Sequence, residues 1–129
     1  MKKLLIRLGL IAVLVAALVY GALAFGFYQP RNVAPDSVMA RVLLPSVIRA
    51  IPRPDQCGEA RVSKSLIECG GICGERFDVK FRTTASSADI EKALNAHAAT
   101  HLDGFETEVL SQEDSATCYE AHVAVARSW

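Results

Sequence analysis

Between Leu8 and Tyr28 the chain carries no charged side chain, and the basic residues Lys2, Lys3 and Arg7 stand just before that run. A charge-free run of this length cannot be placed on the surface of a small soluble domain. As a helix at ~1.5 Å per residue it is long enough to cross a hydrocarbon layer of ~30 Å. Phe25, Phe27 and Tyr28 gather at its far end, where the aromatic belt of a membrane-spanning helix sits. Residues 1–28 are therefore read as a signal-anchor that touches the membrane through residues 8–28. The alternative is a cleavable signal peptide, because Ala22-Leu23-Ala24 sets small residues where a signal peptidase would cut. Both readings carry the rest of the chain out of the cytoplasm.

Charge divides the remainder. Net charge is zero over the whole chain, yet Arg31, Arg41, Arg49 and Arg53 face only Asp36, while the part from Asp55 onward is strongly acidic. An acidic domain without a basic stripe excludes nucleic acid as an expected partner. The basic stretch lies next to the apolar run, where anionic head groups would attract it.

Residues 29–54 are expected to form a Pro-rich linker. Pro30 and Pro35 stiffen its start, and Asp36 is placed to cap a short helix reaching about Leu44. Val38, Met39, Val42 and Leu43 supply the apolar side of that helix, and Pro45 ends or kinks it. With Arg41 and Arg49 nearby, the helix suits a membrane surface, and packing on the domain or the anchor is the alternative. Pro52-Arg53-Pro54-Asp55 marks the expected domain boundary.

Residues 55–129 read as an extracytoplasmic α+β domain. Phe77, Val79 and Phe81 alternate with Arg76, Asp78, Lys80 and Arg82, the pattern of a half-buried strand. A weaker strand over 61–69 precedes it, joined through Gly70-Gly71-Ile72. Ser86 with Asp89 resembles a capping box, so a helix is expected from about Ala88 to Leu102, stopped at Asp103-Gly104. Strands over 105–110 and 117–127 follow, forming a hairpin around Gln112-Glu113-Asp114-Ser115. Tyr119, Ala121, Val123 and Val125 are assigned to the core. The expected order is β-β-α-β-β, a four-stranded sheet with one helix packed on a face, but such domains serve many unrelated functions.

Four cysteines, Cys57, Cys69, Cys73 and Cys118, all lie beyond the apolar run. An even count in a small exported domain implies disulfides. If the helix reverses the chain between the second and third strands, Cys57 and Cys118 meet at one end of the sheet and Cys69 and Cys73 at the other. Cys69 and Cys73 could instead form a redox-active dithiol. Their place between strands and beside Glu68 and Glu75 disfavours a thiolate. His97 and His101, one helical turn apart, have metal-compatible spacing, but His122 points to the other sheet face. No cofactor is implied: there is no phosphate-binding glycine loop and no nucleophile elbow.

The sequence thus favours a non-enzymatic interaction or accessory module of the cell envelope, single-pass in the cytoplasmic membrane. Its candidate contact surfaces are the polar sheet face, with Arg76, Asp78, Lys80, Glu120 and His122, and the acidic hairpin near Glu113. The alternatives are a periplasmic small-ligand or metal-binding protein released by cleavage near Ala24, or a thiol redox protein using Cys69 and Cys73. The intact mass of protein purified from its native membrane tests the first of these choices. The anchor reading expects a species that retains the apolar run, and a chain starting just after Ala24 would reject it.

Overall fold

A computed structural model describes residues 2–26, 28–110 and 117–129. Among them the chain forms α1 (Lys2–Gly26), α2 (Val38–Leu43), α3 (Ser46–Arg49), β1 (Gln56–Glu68), β2 (Ile72–Thr83), α4 (Ser87–His101), β3 (Glu106–Val109) and β4 (Tyr119–Ser128). The protein is α+β, with an N-terminal apolar helix and a four-stranded antiparallel sheet in the order β1-β2-β4-β3. The expected hairpin at Gln112 to Ser115, with Glu113, lies outside the described residues, as do Met1 and Phe27.

Helix α1 is exposed along its apolar length, with none of Lys3–Phe25 buried against the rest of the protein. That stretch of 23 residues measures about 35 Å at ~1.5 Å per residue, enough to cross a bilayer core.

The sheet is built around β2, whose alternation is visible in its burial. Phe77, Val79 and Phe81 are sealed on one face, while Arg76, Asp78 and Lys80 lie on the other. Across the pair with β4, Phe77 faces Val125, Val79 faces Val123 and Phe81 faces Ala121, so three cross-strand pairs form the floor of the core. Tyr119 ends this row; its ring is buried and its hydroxyl donates to the Ala85 carbonyl at 2.7 Å. Ile90 and Leu94 of α4 cover the same face, together with Leu102 just beyond it.

Ser86 caps α4 by accepting from the Asp89 amide at 3.2 Å. Past the end of that helix Gly104 takes φ +77°, a conformation in which a Cβ is strained.

Residues 29–54, expected as a Pro-rich linker, pack on the sheet. Pro30 is fully buried, and Val33 makes a two-way bridge to Val62 on the outer edge of β1, with N–O distances of 2.9 and 2.8 Å. The Lys64 amide also donates to the Pro30 carbonyl at 2.8 Å. Ala40, Leu44, Ile48 and Ile51 then join Phe77, Val79 and Phe81 in one hydrophobic core. Prolines gave this stretch the look of a spacer, but its apolar residues recur at intervals of three and four and bury one continuous stripe.

The cap of α2 also differs. Ser37, not Asp36, is the N-cap, its hydroxyl accepting from the Ala40 amide at 3.1 Å. The buried side of α2 is Ala40, whereas Val38 and Val42 are 77% and 62% exposed. Pro45 separates α2 from α3, as its missing amide requires.

β1 begins at Gln56, earlier than the pattern suggested, and the irregularity between Gln56 and Ala60 explains why alternation there is lost. Cys57 in this stretch is bonded to Cys118, with Cα atoms 6.3 Å apart. Glu68 and Ile72 close the hairpin at the other end, where Cys69 is bonded to Cys73 and Gly70 takes φ +87°.

The sheet has two edges. Residues 30–33 cover that of β1, while β3 is only four residues long and exposes Glu106 and Glu108.

Gly74 in β2 packs so closely on β4 that a Cβ would collide with the Arg127 carbonyl oxygen. Gly74→Ala should therefore destabilise the protein by about 1–3 kcal/mol through overpacking, and Phe77→Ala by about 3–5 kcal/mol through the cavity it leaves. Denaturant unfolding with disulfides intact measures both, and an unchanged midpoint for Gly74→Ala would contradict the β2–β4 packing described.

Candidate functional site

Because α2, α3 and α4 all contribute to the one core, no helix among the described residues covers the opposite face of the sheet. Strand alternation decides what that face displays. β2 contributes Arg76, Asp78 and Lys80, β4 contributes Glu120, His122, Ala124 and Ala126, and β3 contributes Glu106 and Glu108.

Asp78 organises the centre of this face. One carboxylate oxygen, Oδ1, lies 3.1 Å from Arg76 Nε, which donates to it, and 2.8 Å from His122 Nε2. All three side chains are partly shielded by the sheet, Asp78 most of all at 22% exposure. The carboxylate thus holds Arg76 and His122 in place. Lys80 lies opposite His122 in the register, and Arg82 lies opposite Glu120. Arg82 reaches the Cys118 carbonyl at 2.8 Å, tying the polar face to the disulfide-bonded end of the sheet.

Ala124 and Ala126 make the floor of a shallow cleft between Arg76 on one side and Glu106 and Glu108 on the other. The cleft exists because two small side chains stand where the neighbouring strands carry long ones. The sequence pattern placed Arg76 on the polar face but showed no cleft beside it. Finding it needs the register that sets Ala126 opposite both Arg76 and Glu106.

A second ionic group lies at the end of the covered face. Glu75 is buried, and its carboxylate contacts Arg127 at 2.6 Å and Lys64 at 3.3 Å. Arg127 also stacks over the Phe105 ring at 4.8 Å. A buried carboxylate must be paired, and these cations pair it, which makes the group a closure of the core's end.

The histidines fall into two separate places. His97 and His101 stack on α4 with ring centroids 4.7 Å apart, and His97 Nε2 lies 3.1 Å from the Val47 carbonyl. His97 thus joins α4 to α3, on the side of the sheet opposite His122. Among the described residues no group of three or more His, Cys, Asp and Glu side chains is placed to hold a metal ion. The four cysteines are divided between the two disulfides at opposite ends of β1, so the structure does not bring them together either.

With the geometry described, comparison with known proteins adds no family: no family model, curated protein or solved structure matches this chain.

Partial exposure makes the polar face tolerant of substitution. Asp78→Asn should keep the fold and change stability by no more than about 1 kcal/mol, the range of partly solvated ion pairs. Thermal unfolding checks this, and a loss as large as that of Phe77→Ala would show that the Asp78 cluster is structural.

Proposed function

We propose that the chain is a membrane-tethered, non-enzymatic interaction module whose extracytoplasmic sheet domain recruits a protein partner of the cell envelope. The observation that carries this reading is the helix-free face of the sheet, where Asp78 holds Arg76 and His122 beside a shallow cleft. Alternating cations and carboxylates suit a polar protein surface of complementary pattern, where charges set register and specificity.

The tether is α1, with Lys2, Lys3 and Arg7 on the cytoplasmic side. Both disulfides suit an oxidising compartment beyond the membrane. In this reading the β-β-α-β-β segment displays the recognition surface. The preceding segment holds it close to the bilayer, since Pro30 is already packed on β1 a few residues after α1 ends. A short connection restricts the volume the domain explores and raises the effective concentration at a partner in the same membrane.

Site-specific photocrosslinking in the native membrane tests the assignment. A photoreactive residue at Lys80, on the polar face, is expected to yield a discrete adduct with an envelope protein. The same group at Glu91, on the exposed side of α4, should not. Asp78→Arg should diminish the Lys80 adduct severalfold. Identical adducts from both positions would reject the polar face, and turnover of a substrate by the purified chain alone would replace this function with an enzymatic one.

A further inference from the structure

The exposed side of α2 is apolar where a solvent-facing helix would be polar. Val38, Met39 and Val42 are 77%, 49% and 62% exposed, while the opposite side of the segment buries Ala40 and Leu44 in the core. The two sides have different tasks: one secures α2 to the domain, and among the described residues the other is left largely exposed.

Its location says what does cover it. Leu43 shares an apolar cleft with Gly21, Ala24, Phe25 and Tyr28, and Phe25 shares a second with Val38, Met39 and Val42. Helix α2 therefore lies beside the last turns of α1, at the level where a spanning helix leaves the hydrocarbon. The apolar surface of α1 continues onto α2 without a polar interruption at these clefts. Arg41, exposed on α2, and Arg31, exposed a few residues after α1, add positive charge to this segment. Apolar side chains flanked by arginines at that depth match the boundary between acyl chains and anionic head groups.

We propose that α2 is a second membrane contact. Its Val38, Met39 and Val42 side chains enter the acyl region just under the head groups, about 5–10 Å deep as in interfacial helices generally. The inference rests on the reading of α1 as a retained anchor. It adds that the domain is held in one orientation, because two separated contacts remove the rotation that one helix would leave.

Tryptophan quenching in the full chain separates the two claims. The single native tryptophan is replaced by Trp129→Phe, and Leu14→Trp, Val42→Trp or Lys80→Trp is added singly before reconstitution into vesicles of phosphatidylcholine and phosphatidylglycerol. Leu14 reports on the anchor, Val42 on α2 and Lys80 on the polar sheet face. The expected result is quenching of Leu14→Trp by lipids brominated deep in the acyl chain. Val42→Trp should be blue-shifted and quenched by lipids brominated near the head group, with Lys80→Trp unaffected.

Val38→Trp provides a second reporter on α2 should Val42→Trp fold poorly. A quenched Leu14→Trp beside solvent-like emission from both α2 reporters would overturn the inference and leave the anchor intact. Blue-shifted but unquenched α2 reporters would overturn it in favour of a protein cover, such as the α2 of a second copy. An unquenched Leu14→Trp would overturn the anchor reading, and the inference with it.

Discussion

The pairing of residues 30–33 with the outer edge of β1 is the constraint on which the arrangement of this protein depends. Two hydrogen bonds between Val33 and Val62, and one from Lys64 to Pro30, fix the chain as it leaves α1. They place α2 and α3 over the same sheet face as α4, so that Ala40, Leu44, Ile48 and Ile51 complete a core that α4 alone would leave partly open. They also satisfy backbone groups on the edge of a long strand. Without this pairing the segment from Pro30 to Ile51 would lose its reason to be ordered, and the apolar residues of two short helices would be exposed. Neither helix is long enough to be stable alone.

Covering one face so fully has a complementary effect on the other. Helices from both ends of the β1–β2 hairpin converge on the Phe77, Val79 and Phe81 side, leaving the Arg76, Asp78 and Lys80 side free of helical structure. The polar cluster there is pinned by backbone register and by Asp78, not by packing, which allows its chemistry to vary without cost to the core. Glu75 shows the contrast: it lies on the covered side and needs two cations to be accommodated.

Much of this was legible from local pattern. The charge-free run gave the apolar helix, the strict alternation through Phe77 to Phe81 gave a strand, and Ser86 with Asp89 gave the start of α4. What escaped depended on contacts distant in sequence. Pro30 and Pro35 suggested a spacer because a proline's effect on its own backbone is local, whereas the partner that orders this segment, Val62, is far along the chain. The apolar residues of α2 divide between two sides for a related reason. Val38, Met39 and Val42 are the more hydrophobic residues, yet the small side chain of Ala40 is the one that fits against the sheet. The cleft above Ala124 and Ala126 was illegible because it is a property of three strands in register, and no one of them carries its signal.

The short β3 strand at the other margin of the sheet has a consequence for any two copies of this domain that meet side by side. A long apolar edge would then zip copies together into ribbons, using the same hydrogen-bonding geometry that joins strands within each sheet. Among the described residues β3 has four residues, two of them exposed glutamates, so edge-to-edge pairing of two copies would bring like charges together. A charged edge of this kind disfavours edge-to-edge pairing between copies.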